Sequence, residues 1–446
     1  MRSPVHDIAT ADGAVHRRRQ PFRWVQFAYA LLQGRYASLS TVIDDVLFFF
    51  KTTSWDRFRP LICFPSCSWG VVLRVANIAR HVVRRVPGLL SPARAIRDAT
   101  ERARTSASLT WPQLVRARTE KITIAITAHC NLRCTGCRYG RDFMPGAILP
   151  LDTVRDVIDD AAAAGVSAVR LYGGEPLLHP DLEQMLDHAR TRGVPAYVTT
   201  NGLLLGQQVE RLHAAGLRKV TVGYYGDEQT YDTYVQRPGR YVRFVQSLWA
   251  ARRRFGPDQL QIQLNFLFSR VSCNAGALDA VLALARELDA RIQVDIVHYS
   301  LPYFHEGPDR VLQFRPEDAS AVRRFAARLL RAQMREPDRF TESAASLAAI
   351  PDWAINGPAM QVPCDAGKLI WIGADGSVKL CYVTFPLGNL HEKRLSEILY
   401  SQSHHAAARS AFQLNCPRCH CERGSRIEKH GPSHAIYRKR AAETSL

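Results

Sequence analysis

The sequence predicts an α/β protein built on a six-stranded parallel sheet, with a helical segment before it and a small cysteine-rich region after it. Three observations carry that expectation. Strand and helix patterns alternate from about residue 120 to about 300, the preceding residues show only helical periodicity, and cysteines cluster twice, within 130–137 and within 364–421. At 446 residues with 46% hydrophobic content, the chain is long enough for a large domain and one or two smaller ones, which excludes a disordered protein.

Residues 1–115 read as a basic helical region. "FRWVQFAYALLQG", "LSTVIDDVLFFFKTT" and "VVLRVANIARHVVRRV" space apolar residues by three and four, with Gly and Pro breaks between them. The chain carries 59 Lys and Arg against 41 Asp and Glu, and the excess is concentrated before residue 120. Arg74, Arg80, Arg84 and Arg85 lie beside an apolar stripe, an arrangement suited either to an anionic partner or membrane surface or to packing on the protein itself. Cys63 and Cys67 have no third ligand nearby and read as packed thiols. No secretory signal is readable, and "PLICFPSCSWGVVL" is too short to span a bilayer, so a cytoplasmic protein is expected, in which clustered cysteines serve as metal or redox groups.

Residues 116–340 form the expected sheet domain. The strands are "KITIAIT", "AVRLY", "AYVTT", "KVTVGYY", "LQIQLNFLF" and "IQVDIVHY", with helices between them. Short βα connections imply a parallel sheet, open or curled into part of a barrel, with chemistry at the C-terminal strand ends. "CNLRCTGC" follows the first strand, "GGEP" (173–176) the second and "TNG" (200–202) the third, so one site could gather all three.

Cys130, Cys134 and Cys137 supply three thiolates from one loop. A structural zinc takes four ligands, so three leave a catalytic zinc or an iron–sulfur cluster with an open corner; His129, adjacent to Cys130, is poorly placed to be the fourth. In "CNLRCTGC", "LYGGEP" and "TTNG", at three successive strand ends, the sequence resembles the radical S-adenosylmethionine (radical SAM) superfamily. The resemblance implies a partial (β/α)6 TIM-like barrel in which the three cysteines hold a [4Fe-4S] cluster. SAM would chelate the fourth iron and be cleaved by one electron to methionine and a 5′-deoxyadenosyl radical, which abstracts hydrogen from substrate. Gly173 and Gly174 allow close backbone approach, Glu175 beside Pro176 offers a carboxylate to the SAM ammonium, and Thr200 and Asn201 complete the cofactor site. Arg237, in "VGYYGDEQTYDTYVQRPGRYVRF", matches a family arginine that pairs with the SAM carboxylate. The sequence departs from the family at Gly223, which replaces a serine, and at Gly136, which replaces an aromatic residue that covers the adenine; Tyr139 is the candidate substitute.

Residues 341–446 hold the second cysteine set. "CDAGKLIWIGADGSVKLC" reads as a hairpin turned at "GADGS", with Cys364 and Cys381 on its two sides, and "NCPRCHC" adds Cys416, Cys419 and Cys421. Such pairs also make zinc sites. The C-x11-G-x4-C spacing, the "GNL" at 388–390 and the closing C-x2-C resemble the SPASM/twitch extensions of radical SAM enzymes. Five cysteines suit the one-cluster twitch form, implying one auxiliary [4Fe-4S] cluster on Cys364, Cys381, Cys416 and Cys419, with Cys421 as spare or substitute.

The expected function is hydrogen abstraction from a small biosynthetic substrate, sugar- or aminocyclitol-like, leading to oxidation or epimerisation, with a reductant such as flavodoxin or ferredoxin. The alternatives are a radical SAM maturase acting on a ribosomal peptide and a non-catalytic metal- or nucleic-acid-binding protein. Candidate substrate groups are Tyr224 and Tyr225 after the fourth strand and His298, Tyr299 and His305 after the sixth, with Cys273 as a possible hydrogen donor or a packed thiol.

Overall fold

A computed structural model describes residues 87–444 except 307–309 and 383. The chain divides into two compact units, Met1–Pro92 and Ala93–Leu446. The expectations for Cys63, Cys67 and the arginine-flanked stripe fall outside the described residues. A helix, α1 (Pro87–Thr110), leads into the sheet domain.

Six parallel strands follow in sequence order: β1 (Lys121–Thr127), β2 (Ala168–Gly173), β3 (Ala196–Thr200), β4 (Lys219–Tyr224), β5 (Gln261–Phe268) and β6 (Arg291–Ile296). The predicted strands agree in order and number. β6 ends three residues earlier than predicted, because His298 and Tyr299 already belong to the loop that carries them to other partners. The crossover helices are α2 (Leu151–Ala163), α3 (Leu182–Thr191), α4 (Leu205–Ala214), α5 (Glu228–Val235), α6 (Arg240–Arg254) and α7 (Ala275–Glu287). The short α5 was not anticipated; Asp227 caps it by accepting from the Thr230 amide at 3.0 Å.

Alternation along each strand separates two chemistries. Ile122, Ile124 and Ile126 of β1, Val220 and Val222 of β4, and Leu264 and Phe266 of β5 are buried in the main apolar core. The opposite face carries Thr123, Arg170, Thr199, Thr221, Gln263 and Asn265, brought side by side by the parallel register.

After β6, α8 (Ala319–Arg335), α9 (Ala344–Ala348) and α10 (Ile350–Asn356) lead to the second cysteine set. The predicted hairpin is present: β7 (Leu369–Ile372) pairs antiparallel with β8 (Ser377–Lys379), which pairs with β9 (Pro386–Asn389). β7 also pairs in parallel with β1, so all nine strands form one sheet in the order β6-β5-β4-β3-β2-β1-β7-β8-β9. The two cysteine sites therefore hang from neighbouring strands. Four further helices, α11 (Leu395–Ile398), α12 (Gln402–Phe412), α13 (Arg423–Lys429) and α14 (Gly431–Thr444), close the chain.

Candidate functional site

The Cys130–Cys137 loop leaves the end of β1 and is pinned from three sides. The Thr127 and His129 carbonyls accept from the Gly174 amide at 2.8 Å and the Glu175 amide at 2.7 Å. A Cβ on Gly174 would strike the His129 carbonyl, and one on Gly173 the Thr127 carbonyl, so the two glycines are required by backbone-to-backbone contact. From β3, the Asn201 amide side chain donates to Asn131 at 2.7 Å. From α5, the Tyr234 carbonyl accepts from the Thr135 amide at 2.8 Å.

Glu175 is fully buried, and its carboxylate accepts from the Thr200 hydroxyl at 2.6 Å, the Asn201 amide at 2.8 Å and the Leu177 amide at 3.0 Å. These bonds tie the ends of β2 and β3 together and leave one lone pair, on Oε2, for a further donor. Burial raises its pKa, which those three donors oppose.

The thiols show the chemistry of a ligand set without metal. Burial pushes the Cys130 thiol up to about 12, and burial with mutual repulsion raises Cys134; burial also raises Cys137. Iron would displace these protons and supply the compensating positive charge. A single zinc holds its sulfurs within about 4.6 Å of one another. Among the described residues, the donor group gathered within 4.8 Å is instead His298, Cys419 and Cys421. Three buried thiols on one loop are a donor set for a [4Fe-4S] cluster that leaves one iron open.

The departures from the family pattern have local substitutes. Gly136 adopts φ +76, and the Phe304 ring lies 2.6 Å from where its Cβ would be, so the aromatic ring beside this position is Phe304. Tyr139 is buried among Phe143, Tyr172 and Tyr303. The Tyr225 hydroxyl contacts the place where a side chain on Gly223 would begin, bringing an oxygen to the position of the missing serine. Tyr225 also stacks on Tyr234 with ring centroids 4.2 Å apart. Arg237 is exposed, one residue beyond the left-handed cap of α5. Tyr224 departs from its expected place: it is fully buried against Phe244 and Phe266 on the helix side, because alternation turns it away from the inner face. Cys273 has Asp318 and Arg324 as its charged neighbours and no cysteine, in keeping with a packed thiol.

The second set draws on more of the chain than its own segment. His298 Nε2 lies 3.0 Å from Cys421 Sγ. His298 Nδ1 accepts from the Ser300 amide at 3.2 Å, which leaves the neutral ring's proton on Nε2, directed at the sulfur. Cys364, Cys381 and Cys419 each add their charge to the burial that raises the Cys421 thiol, and Cys416, Cys419 and Cys421 all face Tyr299, so the five cysteines lie in one region. Arg426, 2% exposed, makes no ion pair among the described residues. It donates to the carbonyls of Cys419 at 2.6 Å, Pro363 at 3.2 Å and Val362, and lies over the Trp353 ring. A buried guanidinium without a carboxylate is costly unless an anion stands nearby, and a thiolate-ligated cluster is such an anion. Sequence reading missed Arg426 and the pairing of His298, since neither falls in a cysteine motif.

The loop from His298 to His305 reaches from one site to the other. Beyond Cys421, it meets the first loop through the Arg138 amide to Tyr303 at 2.9 Å and the His305 amide to Gly136 at 2.7 Å. Tyr299 lines a crevice of about 330 Å³ with Phe304 and Trp353. The His305 side chain is exposed.

A family model for the radical SAM superfamily matches residues 124–265, and one for the SPASM iron–sulfur cluster-binding domain matches residues 364–422. The AdoMet-dependent heme synthase of Methanosarcina barkeri is 32% identical over 37% of this chain and 46% of its own length. The GTP 3′,8-cyclase of Chlorobaculum tepidum is 34% identical over 39% of this chain and 52% of its own. The chain thus spans about half the length of these curated relatives. In fold it is similar to SuiB of Streptococcus suis, with a TM-score of 0.53, 16% identity, and coverage of 81% of this chain and 79% of that one. It is also similar to anSMEcpe with bound AdoMet, with a TM-score of 0.52, 14% identity, and coverage of 73% and 96%. Among the described residues, no helix is long and apolar enough to cross a membrane. The cofactors that belong to the two matched domains are SAM and [4Fe-4S] clusters, and the donor sets on this chain fit them. The chain thus carries a radical SAM domain over residues 124–265 and a SPASM-type auxiliary cluster domain over residues 364–422.

Proposed function

We propose that the protein uses SAM to abstract hydrogen from a small, polar biosynthetic substrate, oxidising or epimerising it. The observation that carries this reading is the junction of the Cys130–Cys137 loop with Gly174, Glu175 and Asn201 at the open ends of β1, β2 and β3, above a hydrophilic inner sheet face. When bound, the first cluster supplies the electron that cleaves SAM. Cys130, Cys134 and Cys137 would hold its irons, Gly173, Gly174, Pro176 and Thr200 would shape the cofactor cradle, and Glu175 would offer its remaining lone pair to the SAM ammonium. Phe304 excludes water beside Gly136, and Arg237 and Tyr225 flank the cofactor.

In the second site, Cys364, Cys381 and Cys419 are proposed ligands of the auxiliary cluster, with Cys421, beside His298, as the fourth and Cys416 as the alternative. His298 donates to the Cys421 sulfur and Arg426 supplies positive charge, both of which favour the reduced state. This arrangement suits accepting an electron from substrate, with a flavodoxin or ferredoxin as external reductant. A peptide substrate, the second class considered, has less support, because the inner face carries charged, hydroxyl and amide groups suited to a compact polar molecule.

The test is anaerobic reconstitution followed by dithionite and SAM. Formation of 5′-deoxyadenosine, with about eight irons per chain, is the expected result; zinc as the only metal, with SAM left intact, would overturn the reading.

A further inference from the structure

The interior of a parallel barrel is ordinarily packed with layers of branched apolar side chains. Here the inward positions of β2 to β6 carry Arg170, Lys219, Gln263, Asn265, Gln293 and Asp295. They form two sets, which make up two walls of the inner face.

One wall is cationic. Arg170 Nε donates to the Thr199 hydroxyl at 2.8 Å and Nη1 to the Tyr382 hydroxyl at 3.1 Å, and its guanidinium lies 4.9 Å from the centre of the Tyr172 ring. Lys219 Nζ sits 5.1 Å from the centre of the Tyr197 ring. Neither makes an ion pair among the described residues; the nearby Lys121 has Glu422 at 3.6 Å. Lys219 has Lys121, Arg291 and Arg170 as its charged neighbours, all cations, and with burial they lower its pKa. Arg170 and Lys219 thus lack a carboxylate that would offset this repulsion.

The other wall is an amide ladder. Gln263 donates to Gln293 at 2.7 Å, Gln293 donates to Asp295 at 2.9 Å, and Asn265 donates to the other Asp295 oxygen. The Asn265 Oδ1 is buried with no partner, an acceptor waiting for a donor. The cationic wall reaches the cofactor end through aromatic contacts: Tyr172, under Arg170, belongs to the same packed group as Tyr139 and Cys137.

We propose that this inner face binds an oxyanion-bearing, hydroxylated small molecule, with Arg170 and Lys219 taking its phosphate or carboxylate and Asn265 and Asp295 its hydroxyl groups. The inference rests on the radical SAM reading and names the substrate class for it. Charge-assisted hydrogen bonds to Arg170 and Lys219 fix one end of the ligand, and the hydroxyl contacts orient the carbon skeleton beneath the cofactor.

The test is calorimetric titration of the reconstituted full chain with ribose 5-phosphate, gluconate and sorbitol. Saturable binding of one or both oxyanions, with none of sorbitol, is expected; the stronger arm identifies phosphate or carboxylate. Arg170→Gln and Lys219→Gln should each raise the dissociation constant about tenfold or more. The Lys219 side chain makes no hydrogen bond among the described residues, so its variant decides the matter should the Arg170 variant fail to fold. Binding of neither oxyanion, equal binding of sorbitol, or affinity undiminished in Lys219→Gln would overturn the proposal. Wild-type protein that binds the probe yet yields no 5′-deoxyadenosine would count against the radical SAM reading alone.

Discussion

Cys130, Cys134 and Cys137 come from one short loop, whereas Cys364, Cys381, Cys419 and Cys421 are drawn from the flanks of a hairpin and from a knuckle some forty residues further on. The first loop is held by backbone contacts with its neighbours on the same sheet. The second needs β7 docked beside β1 and the loop after β6 turned toward Cys421. A site built within one loop can keep a corner open by ligand count alone. One assembled from distant segments can gather a full ligand set and add groups that adjust its charge.

That contrast can be broken at several points. The largest effect is expected from Cys134→Ala, which removes one of the three proposed cluster ligands and should cut 5′-deoxyadenosine formation by on the order of 1000-fold or more. The auxiliary irons should survive that change, as iron analysis would show. Next, Cys421→Ala should lose about four irons while Cys416→Ala keeps them; the reverse result would return Cys416 to the ligand set.

Arg426→Met should be milder. Three backbone carbonyls lose their donor, at roughly 1–3 kcal/mol for a buried group left unpaired, and the auxiliary cluster's midpoint potential should fall by on the order of tens of millivolts. Potentiometric titration followed by electron paramagnetic resonance reads the second effect. An unchanged potential would reduce Arg426 to a structural clamp.

The smallest effect concerns pH. The metal-free Cys130 thiol is raised from 9.0 to about 12 by burial, so the folded protein holds its proton more tightly than the unfolded chain does. The resulting stabilisation is fully present below pH 9 and is lost as pH rises toward 12. Thermal melts of apo protein should therefore weaken over that range, and reconstituted protein, whose thiolates are already bound, should lack this contribution. Equal slopes for the two forms would contradict the assignment.

The difference between the sites also explains what the sequence made legible. β1 (Lys121–Thr127) has the predicted limits, because its periodicity is local. The cysteine loop, the glycine pair and "TNG" were readable because each lies beside its own strand. The parallel pairing of β7 with β1 leaves no local mark in "LIWI", a four-residue strand separated from its partner by the whole barrel. His298, Phe304 and Arg426 acquire meaning only when tertiary folding brings them to a sulfur, a glycine or a set of carbonyls. The substitutes for the family's missing side chains escaped for the same reason: Phe304 approaches Gly136 from beyond β6, and the Tyr225 chain curls back on Gly223.

The most direct measurement uses the Cys364→Ala/Cys381→Ala double variant, which should keep only the cluster on Cys130, Cys134 and Cys137. Electron paramagnetic resonance of the dithionite-reduced protein is recorded with and without SAM. A cluster signal altered by SAM, accompanied by 5′-deoxyadenosine, is expected if the three-cysteine loop leaves an iron open to the cofactor. A [4Fe-4S] signal that SAM leaves unchanged, with no 5′-deoxyadenosine formed, would contradict it.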